Sequence, residues 1–192
     1  MAEPSARALA EHLELAARAE ELLPRVDAVA QLVTDALAGG GGVYTFGNGG
    51  SALDANHFAE ELVGRFRRER RPLPAQSLAV DAAAVTCIAN DYSFEEVFER
   101  QVRAFVRAGD VVLAFSTSGR SPNVVRGLAA ARELGAATVL FGGGDGDGGP
   151  AAAHADHPVV IPSTSTARIQ ELHVLFLHCV IDAVDAWAAG DA

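Results

Sequence analysis

The stretch TFGNGGSALDANHFAEELVGRF, residues 45–66, decides how the chain is read. An apolar run, Val43 to Phe46, empties into glycines, and a helical pattern follows at once. Gly47-Asn48-Gly49-Gly50-Ser51-Ala52 fits the G-x-G-x-x-A fingerprint of a dinucleotide loop. That reading needs an acidic residue roughly 20 residues past the glycines to hold a ribose. The nearest acidic residue ending a strand-like run, Asp81, lies about 30 residues on by the same count. The helix after the glycines carries His57 and Glu61 one turn apart, so both side chains reach toward one point, and Arg65 follows four residues later. Glu60 is rotated about 100 degrees away and reads as solvated.

Working outward, strand-like and helical runs alternate. Residues 5 to 38 read as helix, broken at Pro24, and Gly39 to Gly42 end it. Helices are expected over Ser51 to about Arg68, with Ser51 as cap and Asp54 at the capping-box position, and over Asp81–Ala89, Phe94–Arg107, Ser121–Leu134 and Ser165–Ala189. Strands are expected at Val43–Phe46, Ala75–Val80, Val111–Phe115, Ala137–Phe141 and Pro158–Pro162. Asn90-Asp91-Tyr92 reads as a turn, and Gly142 to Pro150 as a flexible surface connection. Strands separated by helices imply βαβ units: an α/β fold with a doubly wound, five-stranded parallel sheet and helices on both faces, plus an N-terminal helical segment. The division expected is 1–38 for that segment and 39–192 for the sheet domain. Ligands of such sheets sit beyond the carboxyl ends of the strands.

The chemistry-bearing residues collect there. The third strand runs into STSGRS, with hydroxyls at Ser116, Thr117, Ser118 and Ser121 and a helix N-terminus, which suits a phosphate monoester held without lysine. The last helix is nearly all apolar after Glu171, yet contains Gln170, His173 and His178. Gln170 and His178 are about 80 degrees apart on a helical wheel, so they converge on one side. Two helices each offering an imidazole and an oxygen ligand suit either a metal or an acid–base pair. His12, His154 and His157 read as surface residues, and so does most of the arginine run from Arg65 to Arg71, with Arg65 turned toward the site.

Composition excludes several classes. The 15 basic residues are all arginine, which removes Schiff-base chemistry on lysine and a Walker-type phosphate loop. The net charge of -10 argues against nucleic acid or an anionic membrane as partner. The N-terminus lacks the apolar core of a signal peptide, and no run reaches the roughly 20 apolar residues of a spanning helix, so a cytoplasmic protein is expected. Cys87 and Cys179 sit among apolar neighbours in sequence and are expected as buried free thiols.

GNGGSALDANHFAEELVGRF, ANDYSFEEVF, FSTSGRSPNVV and STSTARIQELHVLFLHCVID together resemble the phosphoheptose (sedoheptulose-7-phosphate) isomerases of the sugar-isomerase (SIS) fold. The resemblance spans nearly the whole chain. It implies a homotetramer with active sites between subunits, converting D-sedoheptulose 7-phosphate to D-glycero-D-manno-heptose 7-phosphate without a nucleotide cofactor. By position it implies that Ser116, Thr117, Ser118 and Ser121 hold the phosphate, and that Asn48, Gly49, Gly50, Ser51, Asn90 and Asp91 line the substrate. It implies that His57, Glu61, Gln170 and His178 bind zinc in some members, one ion per subunit, and that Glu61 and His178 form the acid–base pair. The alternative is a non-catalytic SIS-fold module that senses sugar phosphates or binds a protein, as one relative binds DnaA. Retention of both Glu61 and His178 favours the enzyme.

Overall fold

The computed structural model describes residues 3–144 and 146–190. Five parallel strands, β1 (Val43–Gly47), β2 (Ala75–Ser77), β3 (Val111–Ser116), β4 (Ala137–Gly142) and β5 (His157–Val160), pair in the order β2-β1-β3-β4-β5. The chain steps outward from β1 to β2, then returns across β1 to β3, so the switch point lies between β1 and β3. Pairing of Gly47 with Phe115 brings the loops after those two strands side by side.

The strand residues are apolar on both faces because helices cover both. Along β3, Val111, Leu113 and Phe115 join one core with helices α2 (Leu23–Ala38), α3 (Gly50–Val63) and α8 (Thr166–Ala189). Val112 and Ala114 point the other way, into a core with α5 (Val97–Phe105) and α6 (Pro122–Glu133). The doubly wound sheet expected from the alternation is present.

Several boundaries shift. The N-terminal run divides at a short 3-10 turn, Ala19–Leu22, between α1 (Pro4–Arg18) and α2, while Pro24 sits in the first turn of α2, where a missing N–H is harmless. The helix after the glycine loop ends at Val63, not Arg68, with Gly64 as its C-cap. Gly49, not Ser51, occupies its N-cap, and Asp54 is buried inside the helix instead of capping it. Helix α4 (Ala82–Asp91) absorbs Asn90 and Asp91, which were expected in a turn. The acidic Asp81 caps it, accepting from the Ala84 amide at 3.0 Å. Beyond it a 3-10 turn, Phe94–Glu96, precedes α5.

Both cysteines are exposed, contrary to the expectation from their apolar neighbours in sequence. Each lies on the outward side of its helix. His12 is no idle surface residue: its Nδ1 lies 2.8 Å from Glu171 Oε2, which ties α1 to α8. By length and composition α8 alone, among the described residues, is apolar enough to cross a membrane. Ile169, Leu172, Phe176, Leu177, Val180, Ile181 and Val184 are instead buried in the core of the domain.

Candidate functional site

Two loops form the floor at the switch point. Asn48, after β1, and Asn123, in the first turn of α6, exchange two amide hydrogen bonds of 2.9 Å each. Asn123 is buried, and its Oδ1 also accepts from the Val124 amide at 2.9 Å. Ser51 is buried in the first turn of α3, its amide donating to Asn48 O at 3.1 Å.

The hydroxyl loop after β3 is shaped by its own residues. Ser116 is buried, and its Oγ accepts from the Gly119 amide at 3.0 Å. Ser118 Oγ accepts from the Arg120 amide at 3.3 Å. Ser121 stands at the N-cap of α6, yet its side chain makes no capping bond, which leaves the hydroxyl free for a ligand. The loop is braced from behind by the glycine-rich segment after β4. Gly119 has φ +61°, and a Cβ there would collide with the Gly148 carbonyl. The amide of Ala151, in α7 (Gly149–Ala152), donates to Gly119 O at 3.0 Å, and Arg120 pairs with Asp147 at 3.5 Å. Residues 142–150 were expected as a loose surface connection; instead they pack against the hydroxyl loop. Asp145 lies outside the described residues.

One wall of the site is the seam between α3 and α8. His57 Nε2 lies 3.4 Å from Glu61 Oε1. The His57 and His178 rings meet edge to face at 4.9 Å between centroids, and Phe66 stacks on His178 at 5.5 Å. Ligand atoms of His57, Glu61 and His178 all lie within 4.8 Å of one another, and all three residues are half-buried. Burial, then the neighbouring His57, lower the pKa of His178, with Glu61 opposing and Arg67 adding to the effect. The neutral imidazole this favours is the form that ligates a metal or accepts a proton. Gln170, two turns earlier on α8, lies over Gly50, where any Cβ would clash with its amide nitrogen. It therefore contacts the glycine loop at the start of α3. Glu60 is exposed, as its place on the helix predicted.

Three expected site residues stand apart. Because α3 stops at Gly64, Arg65 does not continue the His57–Glu61 face, and it is exposed. Asn90 and Asp91 end α4 on an exposed surface, bonded to each other at 2.7 Å. Among the described residues, no hydrogen bond joins either to the hydroxyl loop or to His57.

Residues 9–143 match the SIS domain family. The phosphoheptose isomerase of Geobacter sp. strain M21 is 48% identical over 165 residues, covering 86% of this chain and 85% of that protein. That of Aquifex aeolicus is 49% identical over 157 residues, covering 82% and 81%. The solved structure of phosphoheptose isomerase GmhA from Neisseria gonorrhoeae superposes with a TM-score of 0.89 at 40% identity, covering 95% of this chain and 97% of that one.

The chain belongs to the phosphoheptose isomerase family.

For a member of the phosphoheptose isomerases, three polar partnerships near the site have no local signal in the sequence. Asn123 follows Pro122 in a helix start, where asparagine is unremarkable. Asp54 and His173 face each other behind the seam, Oδ2 to Nδ1 at 3.8 Å, while His173 Nε2 lies 3.3 Å from Gly142 O. Arg70 was read as solvated, yet its side chain is fully shielded against Asp185. Each partnership joins residues far apart in the chain, so periodicity carries no trace of it.

Proposed function

We propose that the chain isomerises D-sedoheptulose 7-phosphate to D-glycero-D-manno-heptose 7-phosphate in the cytoplasm. The observation that carries this reading is the convergence of Glu61 with His178, from helices over a hundred residues apart, in a chain of this family. Thr117, Ser118, Ser121 and the amides at the start of α6 receive the phosphate, with Ser116 holding the loop in shape. Asn48, Gly49, Gly50 and Ser51 face the sugar.

A ketose becomes an aldose when C1 loses a proton and C2 gains one, through an enediol. Glu61 takes the C1 proton while His178 donates to the oxygen on C2 as charge develops there. Glu61 then delivers its proton to C2 while His178 takes the O1 proton. Both residues return to their starting states, and no atoms are gained or lost.

Two imidazoles and a carboxylate within ligand distance of one another fit zinc, and the neutral state of His178 suits it. His57, Glu61, Gln170 and His178 are the proposed ligands, and the ion when bound would polarise the substrate carbonyl.

The homotetramer is supported by apolar surface that a single chain leaves open. Helix α4 is largely apolar yet contains no buried residue, and Val80, Tyr92 and Phe94 beside it are exposed. Leu9 and Leu13 are exposed on α1, in the N-terminal helical segment, which serves oligomerisation in this reading. Leu53, 72% exposed on the helix that carries His57, places such surface at the site itself. A neighbouring subunit docked there would bring Asn90, Asp91 and Arg65 into a shared site.

The test is to incubate the purified protein with sedoheptulose 7-phosphate and follow heptose 7-phosphate by NMR, with and without added zinc. Turnover is expected. None under either condition overturns the isomerase in favour of a sugar-phosphate-binding module.

A further inference from the structure

After Gly64 the chain turns back over α8 rather than continuing as helix. Within that segment Arg70 is shielded from solvent, with all its nitrogens engaged. Nε donates to Asp185 Oδ1 at 3.0 Å. Nη2 donates to Glu61 O at 2.6 Å, and Nη1 to the carbonyls of Leu62 at 2.9 Å, Gly64 at 3.3 Å and Arg71 at 3.0 Å. Those of Glu61, Leu62 and Gly64 lie at the end of α3, where carbonyls lack partners within the helix, and a cation suits that end. Arg70 is thus the C-terminal cap of the helix that carries His57 and Glu61.

Its counter-ion belongs to the other helix. Asp185 lies two turns beyond His178 on α8, and its side chain is 0% exposed. Its second oxygen accepts from the amides of Arg68 at 2.9 Å and Arg67 at 3.2 Å. Asp182, one turn earlier, pairs with Arg67 and Arg68 at 3.4 and 3.0 Å. A buried ion pair gains little net stability over an apolar one, and it persists best where it fixes a register. The register here is that of α3 against α8.

We propose that Arg70 and Asp185 are positioning residues that set the separation of Glu61 and His178. Neither touches substrate. Arg70 holds the backbone of Glu61 itself, and Asp185 fixes Arg70 to the helix of His178. Movement of one turn of α3 would separate the proton carriers while leaving the hydroxyl loop, on β3 and α6, undisturbed. The inference rests on the isomerase reading for its catalytic readout, and on the His57–Glu61–His178 cluster for a second one.

The test uses Arg70→Lys and Asp185→Asn in the full chain. Lysine keeps the charge but presents its donors from one nitrogen, so it cannot span Asp185 and the carbonyls of residues 61, 62 and 64 together. Folded Arg70→Lys protein is expected to lose about tenfold or more in kcat, with KM within about twofold. Zinc affinity, titrated by calorimetry without substrate, is expected to fall about tenfold or more, as for other groups that orient ligands from behind. Asp185→Asn should show the same pattern more weakly, and it takes over the test if Arg70→Lys does not fold. A folded variant with wild-type kcat and wild-type zinc affinity overturns the proposal, whatever its melting temperature. Wild-type protein without turnover counts against the isomerase reading alone, and the zinc titration then decides this one.

Discussion

Asn48 and Asn123 face each other across the switch point and satisfy each other's amides with two 2.9 Å hydrogen bonds. The pair joins the glycine loop, proposed to face the sugar, to the helix start proposed to receive the phosphate. Replacing Asn123 with leucine keeps the branched shape but leaves the Asn48 amide without its partner, whereas the Val124 N–H still has Ser121 O at 3.0 Å. A loss of about 1–3 kcal/mol in unfolding free energy is expected. KM for the sugar phosphate should rise several-fold more than kcat falls. Denaturant titration and steady-state kinetics measure the two, and an unchanged KM would show that the loops are set independently.

Glu61→Gln and His178→Ala each remove one of the two proposed proton carriers and leave the hydroxyl loop intact. Loss of turnover by about 10²–10⁴-fold is expected, the usual range for general acid–base catalysis. Substrate binding by calorimetry should stay within a few-fold. Full activity in either variant refutes the assignment. His57→Ala provides the metal control: zinc content after purification should drop, whereas the carboxylate and the second imidazole remain.

Gly119 occupies the left-handed region, and the Gly148 carbonyl sits where its side chain would be. Gly119→Ala therefore meets backbone strain and a backbone clash together. The expected loss is about 2 kcal/mol or more. The hydroxyl loop must shift, so affinity for inorganic phosphate should fall along with stability. A variant that melts like wild type and binds phosphate as well would show that the brace from residues 148–151 is dispensable.

Burial of Asp185 disfavours its charge, but the amides of Arg68 and Arg67 and the Arg70 side chain outweigh this and hold its pKa below the ordinary value. A carboxyl lowered on folding stabilises the native state fully above its unfolded pKa, about 3.9. That contribution is lost as pH falls below this through the folded value. Unfolding free energies measured from pH 6 down to pH 3 should decline in wild type, and less steeply below about pH 4 in Asp185→Asn. Parallel curves for the two proteins would mean that other carboxylates account for the acid sensitivity.

The alternation of apolar strands with helical runs made the sheet legible, because a strand buried on both faces leaves a continuous apolar run. The site loops were legible for the same reason, since they fall at the ends of such runs. The end of α3 was not. Arg65 to Arg71 has no local feature that forbids a helix, and Gly64 breaks it because Asp185, over a hundred residues away, offers the arginines a better arrangement. Exposure of Cys87 and Cys179 was equally hidden, because apolar neighbours along a helix need not lie on the same side as the residue between them. Asp54 and His173 could be seen as polar residues, but not as facing each other.

Helix α8 supplies Gln170, His178 and Asp185, and much of the core beneath them. A ribosome makes it after every other element described. Until it emerges, the apolar faces of α2 and α3 have the sheet but not α8 to cover them, and His57 and Glu61 have no His178 to meet. Synthesis of α8, burial of that surface and assembly of the His57–Glu61–His178 cluster therefore coincide, and a product truncated before Thr166 would lack the cluster and be prone to aggregate.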